Sequence, residues 1–111
     1  MEYKSPPMSL DTITIPGEIV KVQGTLKQSN EIFVFAISTC MWCKRGKQWL
    51  KDRGYQFSYL DIDKIPVEEK NKLKEEIQEV FGVRPRFPFV VVDKTRWNAG
   101  YNPNQWEEML E

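Results

Sequence analysis

Apolar and polar positions recur with two different periods along this chain, and the changes of period mark its elements. Ile13 and Ile15 alternate with Thr12 and Thr14, and Ile19-Val20-Lys21-Val22 follows Pro16-Gly17. This reads as two short strands joined by a Pro-Gly turn. Residues 24–30 are polar and read as a loop. Residues 31–37 form an apolar run of strand length, as expected for a strand covered on both faces. From residue 40 the spacing turns helical: Cys43, Gly46 and Leu50 share a face, Trp49 lies beside it, and Gly54 stops the helix. Residues 55–62 are aromatic and rich in strand formers, with a turn at Asp61-Ile62-Asp63-Lys64. Pro66 suits a helix start, and Leu73, Ile77, Val80 and Phe81 follow helical spacing up to Gly82.

Phe87-Pro88-Phe89-Val90-Val91-Val92 reads as a further strand. Asp93-Lys94 makes a tight turn, and Thr95-Arg96-Trp97 pairs back antiparallel. Asn102-Pro103-Asn104-Gln105 has Asn at a helix cap, Pro at the first position and Gln placed to reach back. Trp106, Met109 and Leu110 supply that helix's apolar face. The expected organisation is a mobile tail over residues 1–9 and a short β extension up to residue 30. A main domain over residues 31–111 follows, running strand, helix, strand, helix, strand, strand, helix. The extension is expected to add an edge to the main sheet and cover apolar surface.

Composition narrows the class. The 111 residues suit one core, and 41% apolar with 29% charged side chains fit a soluble globular domain. Sixteen basic side chains balance sixteen acidic ones, which argues against nucleic-acid or anionic-membrane binding driven by bulk charge. No apolar run reaches membrane-spanning length, and the first ten residues lack the apolar core of a signal peptide. The two cysteines are therefore expected in a reducing, cytoplasmic setting, where a close pair points to catalysis or metal binding.

Those two cysteines, Cys40 and Cys43, sit where the strand pattern gives way to the helical one. Disulfide exchange needs an exposed thiolate and a second thiol to resolve the mixed disulfide. At a helix start, free backbone N–H groups and the helix dipole favour negative charge on Cys40, which marks it as the attacking sulfur. Cys43, one turn inside, takes the resolving role. Lys44, Arg45 and Lys47 add positive charge, though each also reads as an ordinary solvated helix residue. Trp42 reads equally as a flat contact for a partner or as a core residue. Pro88, by position alone, reads as an ordinary strand-opening proline.

Cys40-Met41-Trp42-Cys43 at the strand–helix junction, Phe87-Pro88 opening a later strand, and the element order together resemble the glutaredoxin branch of the thioredoxin superfamily over residues 31–111. The resemblance implies a thioredoxin-like α/β fold with a central mixed four-stranded sheet flanked by helices. It implies a thiol–disulfide oxidoreductase that reduces protein disulfides, with no cofactor beyond a Cys40–Cys43 disulfide. It also implies a cis bond before Pro88, which would leave the Phe87 backbone free to pair with an extended substrate. Arg84 and Arg86 flank that loop and are placed to hold a carboxylate. Gly100, Tyr101 and Trp97 would form a further wall; Trp97 and Tyr101 also read as core aromatics, and for Trp97 the core reading is preferred.

Trp97-Asn98-Ala99-Gly100-Tyr101-Asn102-Pro103 is similar to the Trp-Ser-Gly-Phe-x-Pro segment of the small redoxins that serve ribonucleotide reductase, with one residue more between Trp and Gly. Many glutathione-using relatives carry Gly-Gly there, and Lys where this chain has Ile37. The resemblance thus favours a flavin-linked disulfide reductase as electron donor, with glutathione as the other candidate. It makes ribonucleotide reductase a candidate recipient. The alternative function is a dimer holding an iron–sulfur cluster, as some glutaredoxins do with glutathione. With no histidine and two cysteines, one chain cannot close a four-ligand zinc site from those residues.

Overall fold

The computed structural model describes residues 9–110. The expected tail lies outside the described residues except for Ser9. Five strands, β1 (Val20–Val22), β2 (Ile32–Ala36), β3 (Phe57–Asp61), β4 (Phe89–Val92) and β5 (Arg96–Ala99), form one mixed sheet in the order β1-β3-β2-β4-β5. β2 and β3 are parallel, and every other neighbouring pair is antiparallel. The helices are α1 (Met41–Asp52), α2 (Val67–Phe81) and α3 (Pro103–Met109). Four strands are those of the main domain; the fifth, β1, belongs to the N-terminal extension and continues the same sheet.

Strand side chains alternate between the two faces. Phe33, Phe35, Leu60, Phe89 and Val91 meet Leu73 and Ile77 of α2. Ile32, Val34, Ala36, Phe57, Val90 and Val92 meet Cys43 and Leu50 of α1 and Trp106 of α3. Each fully buried aliphatic or Phe side chain contributes roughly 1.5–3 kcal/mol. β2 and β4 are buried at every position because both faces are covered, as their unbroken apolar runs anticipate.

The extension differs in part from its pattern. Residues 13–15 form no strand. Leu10–Thr12 is a 3-10 turn in which Ser9 Oγ accepts from the Asp11 N–H at 3.3 Å. Leu10 and Ile13 then join the core on the α2 face. The alternation correctly marks apolar positions, but they are buried against a helix face rather than in a ladder. β1 does form, antiparallel to β3. Beyond it the chain closes on the α1–β3 connection: the Thr25 and Leu26 N–H groups both donate to Gly54 O, at 2.9 and 3.0 Å. A side chain at Gly24 would run into the backbone of Gly54 and Gln56. Gln28 donates to Gln56 O at 2.8 Å and accepts from Gln56 N at 2.6 Å, so its amide stands in for a strand neighbour.

At the other edge, Asp93 and Lys94 both have positive φ, 52° and 68°, as a tight hairpin between β4 and β5 requires. Asp93 fixes this turn by accepting from the Glu31 N–H and from Asn30, each at 2.8 Å.

Candidate active site

α1 begins where β2 ends, and Cys40 is its N-cap. The Cys40 sulfur takes the place a Ser or Asp oxygen would hold at a cap: it accepts the Cys43 N–H at 3.3 Å. The approach to the helix is pinned from outside. Asp63 accepts from the Ser38 N–H at 2.8 Å and also from the Ser38 hydroxyl. Those two bonds hold the Asp63 carboxyl below the usual carboxylate range. Cys40 is half-buried and reachable; Cys43 is 0% exposed. The Cys43 sulfur accepts the Ile37 N–H at 3.5 Å. Burial pushes the Cys43 thiol from 9.0 up to about 12; the Cys40 side chain acts the same way, while the Ile37 amide and Lys47 oppose it. The two thiols are therefore chemically unequal although one helical turn apart.

Trp42, two residues beyond Cys40, lines a cavity of about 310 Å³ together with Arg86, Phe87, Ala99, Gly100, Tyr101 and Asn102. It gathers side chains from three separate segments. Trp42 is 52% exposed and stacks on Tyr101, ring centroids 5.5 Å apart, with the Arg45 guanidinium 5.1 Å from its ring centroid. Trp42 is thus a wall of the cavity and not a core residue. Gly100 has φ +87°, a conformation that L side chains rarely adopt, and its N–H donates to Pro88 O at 3.0 Å. A Cβ there would meet only the Asn102 side chain, at 3.7 Å, so conformation rather than space requires glycine.

The Phe87–Pro88 bond is cis. Pairing of β4 with β2 starts at Phe89 opposite Phe35, which leaves the Phe87 peptide beyond the last ladder pair. A Cβ on Gly46 would meet Pro88 Cγ at 3.2 Å and Trp106 Cη2 at 2.9 Å, so Gly46 is what lets α1, α3 and this loop close together.

Of the residues singled out in the sequence, the structure brings Trp42, Arg86, Phe87, Gly100 and Tyr101 around one cavity, while Pro88 packs toward Gly46 of α1. Two do not join them. Arg84 lines a separate depression with Lys74 and Pro85. Trp97 stacks on Phe89 with centroids 5.7 Å apart, on the α2 side of the sheet.

Three polar residues carry more of the site than their sequence signals suggest. Asn98 is buried; its Oδ1 accepts from Trp106 Nε1 at 3.2 Å and from Asn102 Nδ2 at 2.8 Å, and its Nδ2 donates to Gln105. This network replaces the expected capping pair. Asn102 gives α3 no side-chain cap, and Gln105 holds Asn98 instead. Lys47 and Asp61 form a largely buried ion pair, Nζ to Oδ1 2.9 Å, with the ammonium 3.7 Å over the Tyr59 ring. The i, i+4 spacing of Cys43 and Lys47 is the signal that links this pair to the site.

No cluster of three or more metal-binding side chains of the usual types occurs among the described residues. No helix among them is long and apolar enough to cross a membrane.

Residues 32–97 match the family model described as Glutaredoxin. Among solved structures, the chain is similar to the glutaredoxin from Archaeoglobus fulgidus at 33% identity and TM-score 0.61, covering 73% of this chain and 86% of that one. It is similar to Methanosarcina acetivorans methanoredoxin at 29% identity and TM-score 0.62, covering 72% and 83%. The glutaredoxin from Methanosarcina mazei Go1 shares the fold, with TM-score 0.66 at 24% identity, covering 83% and 86%. No curated protein sequence matches significantly. The architecture is thus the thioredoxin-like α/β fold, here with a five-stranded sheet.

Proposed function

The chain belongs to the glutaredoxin family, and from that membership we propose that it is a dithiol electron carrier that reduces protein disulfides through Cys40 and Cys43. The observation that carries this reading is the inequality of the two thiols. Cys40 is reachable, caps α1 and accepts an N–H bond; Cys43 is sealed beneath it. In the first half-reaction Cys40 sulfur attacks a substrate disulfide, forms a mixed disulfide and expels one substrate thiolate. In the second, Cys43 sulfur attacks Cys40 Sγ, closes the intramolecular disulfide and releases the other substrate thiol. The cavity that Trp42 lines offers what an extended substrate needs: the Phe87 peptide for backbone pairing, the Trp42–Tyr101 stack as an apolar wall and Arg86 for a carboxylate.

The reading needs no cofactor beyond the cysteine pair. We place a flavin-linked disulfide reductase ahead of glutathione as electron donor, because Ile37 stands where many glutathione-using relatives carry Lys. Ribonucleotide reductase is a candidate recipient on the resemblance of residues 97–103 alone. Cys43→Ser should arrest the cycle at the mixed disulfide, so that mass spectrometry finds substrate adducts on Cys40. Absence of adducts would overturn the reading. Visible absorption and bound iron after anaerobic purification would replace it with the cluster-binding alternative. Turnover measured side by side with the two reductants decides the donor.

A further inference from the structure

The resolving thiol poses a chemical problem that the groove does not solve. Cys43 has no exposure, and its thiolate must form in a place shielded from solvent. Backbone help is limited to one N–H, from Ile37. The charged or titratable side chains that act on Cys43 are two, Cys40 and Lys47. Lys44 and Arg45, the other cations on the first turns of α1, are exposed, and Arg45 is turned toward Trp42.

Lys47 is one turn beyond Cys43 on the same helix face. Its side chain is 14% exposed, and it does not reach outward to solvent as a surface lysine does. Two contacts keep it inside: Asp61 Oδ1 lies 2.9 Å away, and the Tyr59 ring centroid lies 3.7 Å from the ammonium. Phe57 and Tyr59 pack on the α1 face, so by strand alternation Asp61 does too. Asp61 is itself 9% exposed. It is paired in register with Ala36, the last β2 residue before the loop to Cys40. Its other charged neighbours are Lys64, 3.7 Å away, and Glu18, which shares with it a cavity of about 180 Å³ under the extension. A buried ion pair of this kind is seldom the most stable filling for its volume.

We propose that Lys47 is a positioning residue for the resolving step: Asp61 and Tyr59 hold its ammonium as the positive charge against which the Cys43 thiolate forms when it attacks the Cys40 mixed disulfide. The inference rests on the dithiol reading above. The step balances without a further reactant. Cys43 loses its proton, the Cys43–Cys40 S–S bond forms and the Cys40–substrate S–S bond breaks. The substrate sulfur leaves with the electron pair and takes up a proton. The two protein sulfurs end oxidised and the substrate thiol reduced. Because the two members of the pair bear opposite charge, they act on Cys43 with opposite sign. Loss of the Lys47 charge makes the thiolate harder to form. Loss of the Asp61 charge leaves the ammonium uncompensated and makes it easier.

The test uses the reduced full chain and one equivalent of an aromatic disulfide, dithiobis-nitrobenzoate, followed by the visible absorption of the released thiol across pH 6 to 9.5. The first thiol reports attack by Cys40 and the second reports resolution by Cys43. Lys47→Met should slow the second phase about tenfold near neutral pH, the effect of one pKa unit, and move its pH profile upward. Lys47→Arg should restore it, and Asp61→Asn should move the profile downward. An unmoved second phase in Lys47→Met would overturn the proposal. So would Asp61→Asn shifting the profile in the same direction as Lys47→Met, since that is the mark of a merely loosened helix. A parent protein with no second phase would instead overturn the dithiol reading on which the proposal stands.

Discussion

The buried cluster between the sheet and α2 is made of apolar side chains. Phe33, Phe35, Leu60, Phe89 and Val91 pack there with Leu73, Ile77, Leu10 and Ile13. The face that meets α1 and α3 is built from equally apolar strands but admits Cys43, and beside it the Lys47–Asp61 pair and Asn98. One sheet thus separates two tasks. Burial without polar groups gives stability at little conformational risk. The thiols and charged groups that the proposed function calls on are gathered on the other face, where each has a named partner. The extension serves both faces: Leu10 and Ile13 join the α2-side cluster, while Val22 of β1 packs against the cluster that holds Cys43.

This contrast predicts that the two faces can be damaged separately. The largest effect on function should come from Cys40→Ser, which removes the attacking sulfur. Disulfide-reductase turnover should fall to background while the thermal midpoint of the reduced protein stays near that of the parent. A large loss of stability there would show that the capping sulfur holds the fold. The largest effect on stability should come from the opposite face. Ile77→Ala leaves a cavity at a fully buried site and should cost roughly 2–5 kcal/mol in denaturant unfolding, with turnover per folded molecule preserved.

Gly46→Ala is the smaller change that should cross the divide. Its Cβ would press on Trp106 and Pro88, so about 1–3 kcal/mol of stability and part of the turnover should be lost together. Stability lost with unchanged turnover would mean that the Pro88 loop is not coupled to α1 packing.

The smallest effect concerns acid pH. The Ser38 bonds lower the Asp63 carboxyl, and the Glu31 N–H lowers that of Asp93, each below 3.8. Below 3.8 the unfolded chain binds more protons at these two positions than the folded one. Their contribution is therefore present above that pH and fades as pH falls through the lowered values. Both groups are exposed, so the slope should be slight. Melting curves of Asp63→Asn and parent between pH 5 and 2 should converge toward the acid end; curves that stay parallel would count against it.

Much of this was legible along the chain, for reasons that differ by residue. The unbroken apolar runs of β2 and β4 announced strands covered on both sides. Cys43, Gly46 and Leu50, read as one helix face, are the buried residues of α1. Gly54 and Gly82 end their helices with positive φ. The misreadings have one origin. Ile13 and Ile15 carry a strand's alternation, yet Ile13 is buried in the cluster that holds Leu73 and Ile77 of α2, and Ile15 packs against it. Asn102 and Gln105 carry a capping signature, yet Asn98 offered both a nearer partner. In each case a local preference met a competitor that is distant in sequence or created only by packing.

The sequence by itself determined the order of elements, the junction that seats two cysteines at a helix start, and the family that such a junction signals. Periodicity and capping are properties of neighbouring residues, so they can be read without coordinates. Only the tertiary structure decided that Trp42, Arg86, Phe87 and Tyr101 enclose one cavity while Arg84 and Trp97 stand outside it. It alone revealed that Lys47 turns inward to pair with Asp61. Those facts depend on which face meets which, and a residue's period along its own strand or helix carries no record of what will be packed against it.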